Sequence, residues 1–141
     1  MALTRNETAT ELKLYSGDTG AFKIRARRES GEDWTEDDRM QLTIRGDNGI
    51  MLQRWYRLDD DEGLGNGVIQ IEFHNADTDE WEPGTYQMER RYAVNPRWKT
   101  GTAPSGMCVD ALTSGNEMID GDIVDTRVQG TLEILGVYGK I

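Results

Sequence analysis

Apolar and polar residues alternate with a period of two along most of this chain. In one run, Met40, Leu42 and Ile44 are each followed by a polar residue. The same alternation occurs in Leu12–Leu14, Phe22–Ala26, Ile69–Phe73, Tyr86–Tyr92 and Leu132–Ile134. Side chains spaced by two project from one face of a strand, so each run predicts a strand with one face on a core and one in water. No window of a dozen residues sustains the spacing of three and four that an amphipathic helix needs.

Turn-forming residues separate these runs. Ser16–Gly20 joins the first two, and Gly46–Gly49 predicts a β-hairpin. Gly63–Gly67 leads directly into Val68, and Pro83-Gly84 suits the central positions of a type II turn. Short alternating strands with regular turn signals predict an all-β protein, an immunoglobulin-like β-sandwich of about seven to nine antiparallel strands.

One segment, residues 95–125, interrupts this rhythm. Its first half contains Pro96, Pro104 and several glycines, and its second half has two short apolar runs around Ser114–Asn116. A long connection without structure is unusual in a compact domain, so we expect an inserted hairpin here. We predict a single β-sandwich domain over residues 1–141, a typical length for one domain.

The last predicted strand is apolar on both faces near its end. Leu135 and Val137 break the alternation, so either a bulge lies near Gly136 or both faces are covered. If one face is uncovered, Val137, Tyr138 and Ile141 are candidate interface residues for an oligomer.

Charge and composition restrict the classes of partner that this chain could bind. The chain has a formal net charge of −10 and 26 acidic residues, which disfavours nucleic acid and anionic membranes because both bind basic surfaces. No apolar run approaches the roughly 20 residues that a membrane helix requires. The polar start, Met1–Thr10, lacks the apolar core of a signal peptide, and Cys108 has no second cysteine to pair with. We therefore expect a soluble protein made in the cytoplasm, and protein partners, including a homo-oligomer.

Reactive residues are few. His74 is the single histidine and Cys108 the single cysteine, and no local signature joins them into a nucleophilic pair. Structural zinc needs four such ligands, and the acidic stretches Glu36–Asp38, Asp59–Glu62 and Asp77–Glu80 lack the spacing of a calcium loop. We read these stretches, with Asp33, as solvated turns and predict no catalytic residue, no metal and no cofactor.

Aromatic residues are the more informative candidates. Trp55 and the adjacent Tyr56 project to opposite faces of a strand, so one is expected in the core and the other exposed or at an interface. Three tryptophans fall in predicted loops: Trp34, Trp81 and Trp98. Such residues serve as sugar-stacking platforms or protein-binding hot spots, or they close the open ends of a sandwich. Trp81 best fits the closing role, and Trp34, Trp98 and Tyr56 remain candidate binding residues.

The order of short motifs resembles the N-terminal domains of siphophage baseplate upper proteins and related small prophage tail-module proteins. The resemblance follows the motifs Gly17-Asp18-Thr19, the Gly46–Gly49 hairpin, Gly67-Val68-Ile69-Gln70-Ile71 and Pro83-Gly84-Thr85-Tyr86-Gln87-Met88. It covers roughly residues 9–94 and 126–136, and residues 95–125 have no counterpart. It implies an immunoglobulin-like sandwich with a structural role in a virion tail or baseplate, and it transfers no catalytic residue.

Three functions compete at this point. We expect a non-enzymatic assembly module that acts through protein–protein contacts in a phage or prophage tail. The alternative is a carbohydrate-binding module that uses Trp34 and Trp98. An enzyme built on His74 or on a pair of carboxylates is the third hypothesis, and no motif supports it.

Overall fold

The computed structural model describes residues 11–15, 20–28, 30–59, 65–74, 81–106, 108–119 and 124–135. The strands are β1 (Glu11–Tyr15), β2 (Gly20–Arg25), β3 (Arg39–Gly46), β4 (Gly49–Arg57), β5 (Val68–Phe73), β6 (Gly84–Ala93), β7 (Cys108–Asp110) and β8 (Val124–Leu135). They form a six-stranded sheet in the order β1-β8-β6-β3-β4-β7 and a two-stranded sheet of β2 and β5. The described residues contain no helix, which confirms the all-β prediction.

The core lies between the two sheets and contains most of the apolar residues that the alternation selected in the described chain, together with residues of β4 and of the loops. Met40, Leu42 and Ile44 of β3 are fully buried, as are Ile71 and Phe73 of β5. The core also contains Ile24, Leu52, Tyr56, Leu58, Ile69, Met88, Tyr92, Leu132 and Ile134. Burying one such aliphatic or aromatic side chain contributes roughly 1.5–3 kcal/mol relative to leaving it in water, so this face drives the association of the sheets.

The predicted hairpin at residues 46–49 is present and tight. Strand pairing continues to Gly46 and Gly49, so only Asp47 and Asn48 form the turn. Gly49 has a φ of 112°, a conformation that side-chain-bearing residues rarely adopt. The pairing register shifts between Ile44 and Arg45, which identifies a bulge just before the turn.

One strand pairing differs from the antiparallel arrangement that we expected. β1 runs parallel to β8, with Glu11 opposite Thr131 and Tyr15 opposite Leu135. Parallel neighbours need a long connection, and here most of the chain provides it. The period-two pattern is the same for both strand directions, so the sequence could not reveal this pairing.

The hairpin expected around Ser114–Asn116 does not form within the described part of residues 95–125. Instead, β7 pairs with β4, and residues 97–99 run antiparallel to residues 117–119. The Lys99 amide donates to the Glu117 carbonyl at 2.7 Å, and the Ile119 amide donates to the Arg97 carbonyl at 3.0 Å. The described part of the inserted segment therefore pairs with β4 and with its own start.

Candidate functional site

The tryptophans and tyrosine singled out from the sequence are buried. Trp34 is 3% exposed, Trp98 is 8% exposed and Tyr56 is 4% exposed. Trp55 is also buried, so neither member of the Trp55-Tyr56 pair is at the surface, contrary to our expectation. The candidate interface residues Val137, Tyr138 and Ile141 lie outside the described residues.

Trp34 covers one end of the sandwich. Its ring stacks on Tyr92 at a centroid distance of 6.1 Å, and its indole Nε1–H donates to the Ala26 carbonyl at 2.9 Å. The side chain of Asn66 accepts from the Trp34 amide and donates to the Trp34 carbonyl, both at 2.8 Å. These contacts satisfy the polar groups of the loop and hold the indole edge against β2.

Trp81 covers the opposite end. It lies 5.3 Å from the ring of Tyr86, near the start of β6. The Tyr86 hydroxyl donates to the Glu82 carbonyl at 2.7 Å, four residues upstream. This hydrogen bond fixes the corner by which the chain enters β6.

Trp55 and Trp98 lie on the other side of the six-stranded sheet, away from the core. Their rings meet edge to face at 4.9 Å with an interplanar angle of 87°. The inserted segment that carries Trp98 thus covers part of the outer face of the sheet. This explains why both residues of the Trp55-Tyr56 pair are buried although they project to opposite faces.

Asp38 and Arg39 anchor the loops around β3. The Asp38 carboxylate accepts from the Thr35 amide at 2.7 Å and from the Asn95 amide at 2.8 Å. Arg39 donates to the Pro104 carbonyl at 2.9 Å and to the Glu36 carbonyl. Our prediction that this acidic stretch is a solvated turn is wrong for Asp38, which is buried because it satisfies two backbone amides.

An open cleft lies between the outer face of the six-stranded sheet and the inserted segment; we call it the outer cleft. Its volume is about 300 Å³. Its floor is formed by side chains of β3, β4 and β6, namely Gln41, Gln53, Trp55 and Arg91. Its wall is formed by residues of the inserted segment. At the wall, the Lys99 ammonium lies 3.0 Å from the Glu117 carboxylate. The outer cleft is therefore lined by aromatic, amide and charged groups together.

The sandwich interior holds an unusual buried cation. Arg90 of β6 is 1% exposed, and no atom of the described residues accepts a hydrogen bond from its three guanidinium nitrogens. The hydroxyl of the neighbouring inward-facing Tyr92 is also buried; it contacts this guanidinium but makes no well-aligned hydrogen bond in that part of the chain. Burial raises the pKa of the Tyr92 phenol, and both the charge of Arg90 and its hydrogen-bonding contact with the phenol oppose that rise.

Two further tyrosines share this behaviour. Burial, followed by the neighbouring Cys108, raises the pKa of Tyr56 well above its usual range. Burial also raises the pKa of Tyr86, with Glu82 and Asp47 as additional causes. In each case the folded state favours the neutral phenol.

These shifts predict a loss of stability in alkali. Unfolded tyrosine ionises near pH 10, whereas the three folded phenols ionise above that value. The unfolded state therefore releases protons first, so the stabilisation is complete below about pH 10 and declines as the pH rises beyond it. Urea unfolding measured from about pH 8 to about pH 11 should show this decline, and Tyr92→Phe should reduce its slope. Phe73→Leu is the control, because it changes a buried ring without removing an ionisable group; an identical slope in Tyr92→Phe would contradict the assignment.

The two reactive residues lie in different surroundings. His74 lies 3.5 Å from Glu72 at the end of β5, and Cys108 is exposed on β7 beside Tyr56. Among the residues that the structure describes, no group of three or more His, Cys, Asp or Glu side chains gathers as a metal site. No helix in that same set is long and apolar enough to cross a membrane.

At one edge of the two-stranded sheet, β2 has no partner strand other than β5 among the described strands. The Ala26 amide donates to the Gly67 carbonyl at 2.9 Å, which extends the β2–β5 register by one hydrogen-bonded pair. Because such pairs alternate along an antiparallel ladder, the backbone groups of Ala21 and Lys23 point away from β5. No other strand of the described chain pairs with β2.

The β5 edge is partly covered. Arg54 of β4 donates to the Glu72 carbonyl at 2.6 Å, and the Gly67 amide donates to the Leu58 carbonyl at 2.8 Å. The β5 edge of this small sheet therefore contacts other parts of the chain, whereas no further described strand pairs with the β2 edge.

Comparison with known proteins adds no relative. No protein-family model matches the sequence, and no curated protein matches it at a significant level.

Proposed function

We propose that this chain is a non-enzymatic assembly module that acts through protein–protein contacts in a phage or prophage tail or baseplate. The observation that carries the proposal is the β2 edge, where the backbone groups of Ala21 and Lys23 point away from β5 and no other strand of the described chain pairs with them. An open edge is a template for an added strand, and the main-chain hydrogen bonds of such a strand give affinity. The added strand belongs to a second copy of the chain or to a neighbouring tail protein.

The positions of the short motifs support the relation to tail proteins. Gly67-Val68 lies at the start of β5, Pro83-Gly84 leads into β6, and Gly46–Gly49 is the β3–β4 turn. The motifs that carry the resemblance thus occupy turns and strand starts, which are the positions that define a strand order. The Gly17-Asp18-Thr19 motif lies outside the described residues.

We also propose that the sandwich is immunoglobulin-like. The neighbours β8-β6-β3-β4 match the G-F-C-C′ order of a variable-type domain, and β2-β5 matches the B-E pair. The Tyr86 hydroxyl bonded to the Glu82 carbonyl has the form of the tyrosine corner at the start of strand F. Met88 then occupies the place, two residues on, where antibody domains have a cysteine.

The test is proline substitution at one edge of the sheet. Lys23→Pro removes an outward amide of β2 and keeps the hydrogen bonds to β5, so the fold should persist while association weakens by about tenfold or more. Multi-angle light scattering over a concentration series measures self-association. Binding to proteins encoded beside this one measures the hetero-association.

The matched control is Gln70→Pro, which alters the β5 residue directly opposite Lys23. Its amide faces the other edge, so this variant should associate like the unchanged protein. Circular dichroism establishes that both variants fold. A strictly monomeric parent protein that binds none of its neighbours would refute the proposal, as would equal effects of the two prolines.

The alternative from the sequence, sugar binding through loop tryptophans, has less support. Trp34 and Trp98 are both buried, so neither indole offers an exposed face for stacking. A sugar site on this chain would have to be built from other residues.

A further inference from the structure

The outer cleft has walls that the fold holds in place. The Ala111 amide donates to the Gln53 carbonyl at 2.9 Å, which fastens the middle of the inserted segment to β4. A bridge between Trp98 and Met118, together with the Trp55–Trp98 contact, fastens its near end. A site whose walls are fixed by backbone pairing binds ligand with a small ordering cost.

Its amide groups are already oriented. The Gln53 Nε2 donates to the Thr43 hydroxyl at 3.0 Å, and the Asn116 Nδ2 donates to the Thr102 carbonyl at 2.6 Å. With their nitrogens engaged, both amides offer carbonyl oxygens as acceptors. Gln41 adds an amide with both a donor and an acceptor on the cleft floor.

Apolar surface accompanies these polar groups. Leu112 is 56% exposed, which is the largest exposure among the described large hydrophobic residues, and it lines the cleft with Met118. A ligand that matches this lining carries several hydroxyl donors and acceptors as well as patches of C–H surface. A pyranose ring has both.

Two other ligand classes fit less well. A nucleobase needs an exposed aromatic plane, and Trp55 is only 2% exposed. A simple anion fits less well at the wall, where the Glu117 carboxylate balances Lys99 at 3.0 Å, and the anion titrations below test the second cation, Arg91 of the floor. The volume of about 300 Å³ lies at the small end of ligand pockets, which suits one or two sugar rings.

We propose that the outer cleft binds a neutral saccharide of one or two rings. The carbonyl oxygens of Gln53 and Asn116 accept from its hydroxyls, Gln41 exchanges hydrogen bonds with it, and Leu112 packs on its C–H face. Trp55 and Trp98 support the site from below. This site is distinct from the β2 edge and would add ligand recognition to the assembly role.

The experiment is an NMR titration of the ¹⁵N-labelled protein with a panel of neutral mono- and disaccharides that includes maltose, lactose and diacetylchitobiose. At least one sugar should cause saturable shifts in the side-chain amides of Gln41, Gln53 and Asn116 and in the indole N–H of Trp55. Sodium acetate and sodium phosphate are titrated in parallel. Shifts at these groups with the anions alone would overturn the saccharide class, and no response to any sugar in the panel would overturn the site.

Variants separate specific binding from surface effects. Leu112→Asp, at an exposed position that tolerates substitution, and Asn116→Ala should each weaken binding of the responding sugar by about tenfold. Gln87→Ala is the matched control, because this exposed glutamine lies on the same sheet face outside the cleft. Equal losses in the control and the cleft variants would refute the proposal. Lys23→Pro should leave sugar binding unchanged, so the failure of one proposal is distinguishable from the failure of the other.

Discussion

Gly67→Ala is expected to lower the free energy of unfolding by about 4 kcal/mol or more, or to prevent folding. Gly67 has a φ of 81°, and a Cβ at this position would lie 2.1 Å from the Ala26 carbonyl oxygen. That oxygen already accepts from the Trp34 indole, and the Ala26 amide donates to Gly67. The clash cannot be relieved by rotating a side chain, because backbone of β2 would have to move away from β5.

Gly31→Ala is the matched control for this prediction. Gly31 has nearly the same φ, 82°, but nothing lies within 4 Å of the position that its Cβ would occupy. It therefore carries only the strain of the left-handed backbone, about 1–2 kcal/mol. Urea unfolding gives the free energy of unfolding of each variant, and the difference between the two losses is the energetic cost of the clash. Equal losses of stability would show that Ala26 and Gly67 are not in the close contact described above.

Arg90→Met is expected to raise the free energy of unfolding by about 2 kcal/mol. The desolvation of the Arg90 guanidinium in the sandwich interior is offset by no well-formed hydrogen bond from the described residues. Methionine keeps much of the aliphatic volume and removes the charge. Thermal and urea unfolding at neutral pH measure the change.

The control for Arg90→Met is Arg45→Met, which replaces an exposed arginine on the neighbouring strand β3. Surface substitutions of this kind usually change stability by less than about 0.5 kcal/mol. A destabilised Arg90→Met would mean that the guanidinium has an acceptor that outweighs its desolvation, and the prediction would fail.

Much of the core could be predicted from local pattern alone. The alternation on β6 placed Arg90 in the same series as Met88 and Tyr92, and all three are indeed buried. The pattern predicts which face a residue occupies, whatever its chemistry. It therefore predicted the position of the buried arginine but not the physical cost of that position.

The parts that could not be predicted depend on contacts between distant residues. Trp55 is buried because Trp98, 43 residues further on by the sequence numbering, lies against it, and no local pattern indicates such a contact. Asp38 was read as solvated because it ends an acidic run, although the spacing Thr35 to Asp38 suits a side chain that accepts from a nearby backbone amide. The spacing from Thr35 to Asp38 could have predicted the first of these hydrogen bonds. The second, from the Asn95 amide, has no local signal in the sequence.

The place of β8 between β1 and β6 affects how the chain folds as it leaves the ribosome. Thr131 of β8 pairs with both Glu11 of β1 and Gln87 of β6, so these two strands wait for a partner that is synthesised after all the other described strands. Until then their edges are available to other nascent chains, and loop closure over such distances is slow. We therefore expect the six-stranded sheet to close after synthesis of β8, when a chaperone that shields strand edges would have its greatest effect on yield.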